Sequence, residues 1–533
     1  MRLRNHTTRV VTTASTAALL AAASLVTAAT SAASGQKTTG KTLTADPLST
    51  WQTDGIVWSV EYARGVVYVG GTFGSVRPPG ARPGEREVAR RNFAAFDAST
   101  GELLPCAHSF TGIGDTVRAL KASPDGKKLY VGGSFSKVDD SGAYSAAALN
   151  TSDCSLRKDF RPGASATVRA IETTGDTVYM GGDFTLIDNK TRNRIAAFKP
   201  NGALRPFKAD LDRGVRDILA ATDHGKVLVG GDFRHVNGKE ERSLIALDPK
   251  TGEPVTSFPD WIPPRSAVKT LARDGDKFYL GAEGTGTGIF DGRIAGRLSD
   301  GSMIWKDTCQ GATQAVLVYK GILYSGSHAH YCGVTPGGFP EGRRRHFLAQ
   351  SADDMHILHW FPDTDDGLGE GNGPRSLVMA DGILWAGGEF TMVNGKPQQS
   401  LTRFGAGPDV GAPEGAPRLT VADTRDGRVT LTWHAAWDRD DAELTYMLYR
   451  DGELVDKQKQ RSAEWDRPDM KYTDTVAPGS RHRYTISVTD GKNTAPLSKP
   501  LEVTAVAAKR ELGDLGEIPA LGALGALGEL RQW

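Results

Sequence analysis

The sequence predicts an all-β protein, a seven-bladed β-propeller followed by a small β-sandwich. Three observations predict it. A heptapeptide built from an apolar run, two glycines, one variable residue and a phenylalanine recurs as VYVGGTF (67–73), LYVGGSF (129–135), VYMGGDF (178–184), VLVGGDF (227–233) and LWAGGEF (384–390). Each copy lies in a unit of roughly 50 residues holding four short strand-like runs bounded by turn residues. No unit shows the period of an amphipathic helix.

From the N-terminus, residues 1–34 read as a secretory signal peptide. Arg2, Arg4 and Arg9 make a basic start, Ala17 to Ala29 an apolar run, and small residues lead to cleavage near 32–35. That run is too short to span a bilayer, and no later stretch approaches the ~20 apolar residues a spanning helix needs. The chain is therefore expected to be secreted and extracellular, with no membrane span. The formal net charge of +1 includes those three arginines and no acid before residue 35, which leaves the remainder at −2. Nothing in that balance attracts a phosphate backbone, so nucleic acid is excluded as a partner. Four cysteines in an exported chain imply up to two disulfides.

The propeller is assigned to residues 45–405. The glycine opening each pair, or its counterpart, stands at Gly70, Gly132, Gly181, Gly230, Gly281, Gly326 and Gly387. A first strand precedes each: IVWSV (56–60), TVRAL (116–120), TVRAI (167–171), GVRDI (214–218), AVKTL (267–271), TQAVL (313–317) and PRSLV (374–378). A third strand such as IAAFKP (195–200) follows, and a TG or NG turn introduces a fourth such as LRPFKA (204–209). The long unit favours blades over a β-helix. The seventh unit stops at its third strand, SLTRF (400–404), while LSTWQ (48–52) reads as a fourth. The N-terminal strand is thus expected to complete the last blade and remove an open edge. The glycine pair marks a bulge or a close backbone approach. A phosphate-cradling glycine loop would need a strand-to-helix context, which is absent.

The pattern G-x-V-Y-V-G-G-x-F-x-x-V followed by R-x-x-[LI]-A-A-[FL], seen best at 175–198 and 225–247, resembles the delta-60 repeat β-propeller family of secreted bacterial proteins. The stretch at 308–333 and PQQSLTRF (397–404) share the resemblance. It implies a propeller and brings no common activity.

Residues 406–417 read as a Pro/Gly linker. Within 418–506, alternation returns in VTLTWHAAW (429–437), LTYMLYRDG (444–452) and PGSRHRYTISVTDG (478–491). Seven short strands in about 90 residues fit a small β-sandwich. Trp433 with Tyr446 and Tyr449 makes it resemble a fibronectin type III domain, with Tyr484, Ile486 and Val488 lining one face of the sixth strand. His482 stands where such domains place a tyrosine corner. In the tail, 507–533, Leu or Ile recurs every third position with Gly between, a period that suits neither helix nor strand. A flexible tail is expected.

Units five and six break the consensus with GAEGTGTGIFDG (281–292) and GSHAHYCG (326–333). Departures from a strict local rule are where function is expected. His328 and His330, two apart, would share a strand face about 7 Å apart. With Glu283 they are candidate ligand-binding residues. Spacing fixes no third metal ligand, so no metal is assigned and no cofactor is predicted. Of the three possible connectivities, Cys309–Cys332 with Cys106–Cys154 keeps partners in adjacent blades.

One position of the first strand reads Trp58, Arg118, Arg169, Arg216, Lys269, Gln314 and Arg375 through the units. The variable residue of the heptapeptide reads Thr72, Ser134, Asp183, Asp232 and Glu389 in the regular copies. Two explanations stand: ion pairs near the channel, or a cationic ring for an acidic ligand that uses Arg169, Arg216 and Arg375.

No G-x-S-x-G or H-E-x-x-H occurs. Asp363, Asp365 and Asp366 lie off a calcium-loop register and read as a solvated loop. Among many loop acids no glycosidase pair can be picked. The preferred reading is a monomeric secreted binding or scaffold protein for an extracellular polysaccharide or cell-surface protein. The alternative, an extracellular hydrolase of glycosidic bonds, rests on fold-level association.

Overall fold

The computed structural model describes residues 40–506; the expected signal peptide at 1–34 and the tail at 507–533 lie outside the described residues. The described chain is all-β, with two short 3-10 turns, Thr222–His224 and Arg425–Gly427, and no α-helix.

Seven antiparallel sheets follow one another along the chain. Their first strands are Ile56–Ala63, Thr116–Ala122, Val168–Thr173, Val215–Ala221, Ser266–Asp274, Thr313–Tyr319 and Pro374–Ala380. Each pairs with the glycine-bearing second strand, which pairs with a third. The fourth and fifth sheets add full fourth strands, Pro254–Ser257 and Met303–Asp307. The outer edge of the seventh sheet comes from the N-terminal segment. Pro47 bridges Phe404, and the Leu48 N–H donates to the Arg403 carbonyl at 2.8 Å.

The first strands pack against one another in chain order, and the seventh packs against the first. The glycines explain how they come so close. A Cβ at Gly70 would lie 2.4 Å from Val117 Cγ1, at Gly132 2.6 Å from Val168 Cγ1, at Gly181 2.4 Å from Val215 Cγ1, and at Gly230 2.5 Å from Val268 Cγ1. At Gly387 it would lie 2.3 Å from Val57 Cγ1, back in the first sheet. A valine of the next sheet fills the space where a side chain would be, and close-packed interiors leave no slack to accommodate both.

The second glycine acts within its own sheet. A Cβ at Gly71, Gly133 or Gly182 would meet the carbonyl oxygen of Ile56, Thr116 or Thr167 at 2.2, 2.1 and 2.1 Å. This approach accompanies a register shift in every first strand, falling between Val57 and Ser59, Val117 and Ala119, and at the matching place in the other five. A bulge leaves one residue unpaired and re-aims its side chain. The residue after the bulge ties sheets together: Ser59 Oγ accepts from Leu120 N–H at 3.0 Å, Asp217 Oδ2 from Leu271 N–H at 2.6 Å, and Ser376 Oγ from Val60 N–H at 3.0 Å.

Residues 418–506 form a three-stranded sheet (Thr420–Asp423, Arg428–His434, Asp469–Thr475) and a four-stranded sheet (Glu453–Arg461, Glu443–Arg450, Arg481–Thr489, Leu501–Thr504). Trp433, Tyr446, Tyr484, Ile486 and Val488 are buried in the core between them, while Tyr449 is half-buried outside it. His482 bonds Asp451 at 2.7 Å and Ser480 at 2.8 Å, which fastens the loop before its strand.

The linker is held rather than loose. Val410 and Gly411 donate backbone N–H groups to Asp46, and Glu414 bridges Trp437. On the sixth sheet, Trp465 packs edge-on against Phe361, ring centroids 4.7 Å apart, with the Arg345 guanidinium 4.4 Å over its ring. Arg345 also bonds Glu464 at 2.9 Å. The irregular loop that follows His330 carries Phe339 to the same cluster. Part of the departure from the repeat in unit six therefore packs against residues 464–465 of the C-terminal sheets.

Candidate functional site

The seven bulged positions are Trp58, Arg118, Arg169, Arg216, Lys269, Gln314 and Arg375. All seven line one cavity of about 780 Å³ enclosed by the first strands. The bulges account for this: the register shift aims at the central channel a residue that would otherwise alternate into the sheet packing.

Most of the ring's cations are neutralised within their own sheets. Arg169 meets Asp183 at 2.7 Å, Arg216 meets Asp232, Lys269 meets Glu283 at 2.9 Å, and Arg375 meets Glu389 at 2.9 Å and Glu370 at 2.8 Å. Gln314 donates to Glu283 at 2.8 Å. The pairing joins the bulged residue to the variable residue of the glycine motif, as the ion-pair reading requires. Arg118 differs. Its sheet carries Ser134 instead of an acid, and Ser134 Oγ donates to the Ile113 carbonyl at 2.8 Å. The Arg118 guanidinium lies 3.7 Å over the Trp58 ring, Arg375 lies 4.6 Å from the same ring, and Arg118 Nε is buried without a hydrogen-bond partner. Burial, followed by repulsion from Arg169, pushes Arg118 down to about 10. The indole Nε1 donates to Thr72 Oγ1 at 2.9 Å.

The Arg169–Asp183 pair is partly exposed, 25% and 34% at the side chains. A double-mutant cycle of Arg169→Ala and Asp183→Ala, read by urea unfolding, is expected to give a coupling of about 0.5–1 kcal/mol. A coupling of zero would leave the cationic-ring explanation standing.

Three residues further along the first strands, roughly 10 Å deeper at the strand rise, the channel changes sign. Glu61 and Glu172 stand at this level beside Lys121, whose Nζ is 3.0 Å from Glu172, while Asp217, one residue past the bulge at Arg216, adds a third carboxyl to the same cavity wall. Glu172 holds Lys121 protonated beyond the usual lysine range. Burial pushes Glu61 and Asp217 each up to about 7, against the pull of Lys121 and of backbone N–H groups. Raised carboxyl values mean that the folded state binds more protons than the unfolded one. Their stabilising protonation is complete near pH 4 and lost as pH rises through 7. The double substitution Glu61→Gln/Asp217→Asn is expected to flatten that decline, gaining several kcal/mol over the parent at pH 8 relative to pH 4. Thermal unfolding across that range checks it; a pH-independent difference would refute it.

His328 and His330 are not related by simple strand alternation. The pairing of Ile322–Ala329 with Arg345–Ser351 is irregular between Gly326 and Ala329, and His330 lies past the strand's end. Burial, then Arg344, lowers His328, while Asn372, Asp291 and Glu283 pull it back. The sequence reading missed His346, which is buried on the next strand and 3.1 Å from Asp366. His330 engages the backbone, donating its N–H to Gln310 at 2.9 Å.

The acids of 361–367 are more engaged than a solvated loop. Asp365 accepts from the Thr391 N–H at 2.6 Å and the Met392 N–H at 3.1 Å, as Asp212 does from Arg234 and His235 in the fourth unit. Asp363 pairs with Arg343, and Asp366 with Arg344 at 2.9 Å. Among the described residues, Asp409, Asp440 and Asp441 approach one another within 4.8 Å, and the Lys492 ammonium sits among them, 3.1 Å from Asp441. Disulfides join Cys106 to Cys154 and Cys309 to Cys332. No helix among the described residues is long and apolar enough to cross a membrane.

No family model and no curated protein matches the chain. Solved structures similar to it include the computationally designed Ika8 protein, at 13% identity over 75% of this chain and 98% of that one, with a TM-score of 0.40. A chain of the mitotic checkpoint complex is 12% identical over 69% of this chain and 96% of its own, with a TM-score of 0.43. Saccharomyces cerevisiae Sqt1 is 11% identical over 74% and 96%, with a TM-score of 0.41. Likenesses this distant carry no argument about activity.

Proposed function

We propose that the protein is a secreted binding protein: a seven-bladed propeller of the delta-60 repeat type holds an extracellular polysaccharide at its channel mouth, and a fibronectin type III-like module is fixed to its side. The observation that carries this reading is the ring of bulged residues. Seven independent bulges deliver seven polar or aromatic side chains to one cavity of about 780 Å³, within the size range of small-ligand sites. Four of the ring's five cations are paired with carboxylates, and Glu61, Glu172 and Asp217 also line the wall, so the cavity offers donors and acceptors for a ligand rich in hydroxyl groups. The signal-peptide reading of 1–34 and the two disulfides support export. A glycan array probed with the protein lacking residues 1–34 tests it. Binding of a defined glycan, lost on Trp58→Ala with Arg118→Ala, is the expected result. Binding of no glycan, or unchanged binding by that variant, would overturn it, and release of glycan fragments would make the protein a hydrolase.

A further inference from the structure

A second pocket opens between the fourth and fifth sheets, beside the ring, with a volume of about 410 Å³. Its charge is lopsided. Arg216 and Lys269 on its inner wall are matched by Asp232 and Glu283. Arg242 is matched from outside by Glu240 at 2.5 Å. Arg213, Arg234 and Arg265 also line it, and among the described residues none of the three has a side-chain hydrogen bond or a carboxylate within salt-bridge distance. Three unpaired guanidinium groups thus share one concave site with no acid left over to neutralise them.

The repeat supplies an independent observation. Two residues before the first-strand valine, the regular units carry Gly55, Asp115 and Ala166, while the fourth carries Arg213. Directly after the motif phenylalanine they carry Gly74, Ser136, Thr185 and Thr391, while the fourth carries Arg234. The heptapeptide of this unit, VLVGGDF, is regular, so its fold asks for neither arginine. Both substitutions point at the same pocket, and Arg265 joins them from the fifth unit. Pro263 and Pro264 form part of the wall and limit its freedom to collapse.

We propose that this pocket binds an anionic group of a polysaccharide, a carboxylate or a sulfate or phosphate ester, through Arg213, Arg234 and Arg265. The planar forked donors of arginine match such oxyanions two bonds at a time. The pocket is compact, and the chain as a whole lacks the positive field by which a nucleic acid is attracted. The site rests on the glycan-binding reading above and names the ligand's charge.

The test uses the full chain without residues 1–34, titrated calorimetrically with dextran sulfate, polygalacturonate, neutral dextran and single-stranded DNA. Binding of one or both polysaccharide anions is expected, and which one binds identifies ester or carboxylate. Arg213→Gln/Arg234→Gln/Arg265→Gln is expected to weaken that binding about tenfold or more, and Arg234→Gln alone to weaken it in part. The charge-matched control Arg82→Gln/Arg161→Gln/Arg297→Gln, at exposed positions outside the pocket, is expected to bind as the parent does. All these residues are exposed, and melting curves confirm that each variant is folded. Equal weakening by the control, or equally tight binding of DNA, would overturn the site. A protein that bound glycans on the array but neither polyanion would refute the site and leave the binding function intact. Binding of no glycan in either experiment would remove both.

Discussion

Replacing Arg293 with methionine is expected to cost about 3–5 kcal/mol of stability. Arg293 and Asp307 are 0% and 1% exposed. The guanidinium donates to Asp307 Oδ2 at 2.7 and 3.1 Å and to Ser325 Oγ at 3.3 Å. Asp307 also accepts from Thr335 Oγ1 at 2.6 Å, Gln350 Nε2 at 2.8 Å and the Cys309 N–H at 3.0 Å. One carboxylate thereby ties the fifth sheet to the sixth and to the disulfide-bearing loop. Burial pushes Asp307 up, but Arg293, Thr335 and the Cys309 N–H outweigh it and hold the group below the usual carboxylate range. Its stabilising contribution is therefore present above the ordinary aspartate pKa and is lost as pH falls through the depressed value. Removing only the arginine strands a buried charge. Arg293→Met with Asp307→Leu should recover only part of the loss, because it removes the stranded charge but leaves the Thr335, Gln350 and Cys309 donors without their acceptor. Urea unfolding of both variants checks this, and a single-variant loss below about 1 kcal/mol would refute it.

Gly387→Ala is expected to destabilise the chain by about 1–3 kcal/mol or more, because it overpacks the joint between the last sheet and the first. The new methyl would meet Val57 Cγ1 at 2.3 Å and Val60 Cγ1 at 3.1 Å, and both valines are buried. Gly175→Ala is the control. It has nothing within 4 Å of the added methyl, so its effect should be close to zero or slightly stabilising. Limited proteolysis should cut the Gly387→Ala chain near 40–50 before the parent, since those residues close the seventh sheet. Equal melting temperatures for the two variants would show that the joint tolerates the volume.

Both expectations rest on features of different legibility. The glycine heptapeptides could be read directly, because a strand lying between two neighbours needs near-continuous apolar residues and a glycine wherever a neighbour's side chain intrudes. The matching of Arg169, Arg216 and Arg375 with Asp183, Asp232 and Glu389 was legible as one of two explanations, because the partners recur within one unit, 14 or 16 residues apart. The pairing of Cys309 with Cys332 was one of three connectivities the sequence left open, the one that keeps partners in adjacent units. The Arg293–Asp307 network was not visible. Its members come from irregular units, and Ser325, Thr335 and Gln350 reach it from separate segments with no common period.

The departures in unit six were legible as departures, but the sequence did not show what packs against them. Part of the irregular segment following His330 supports Trp465 and Glu464, which lie more than a hundred residues downstream in the C-terminal sheets. Nothing local marks such a contact. The three unpaired arginines beside the ring went unread for the same reason, since Arg265 lies 31 residues after Arg234 and only the packing of two sheets brings them to one pocket. The local pattern of strands was legible in the sequence, which also narrowed the glycine pairs to a bulge or a close approach and the charged positions to ion pairs or a cationic ring, because each depends on residues within one repeat and on backbone sterics. Which charges stay unpaired, and which irregular loop packs against the C-terminal sheets, was decided only when the sheets packed, because both depend on what a distant segment brings within a few ångströms.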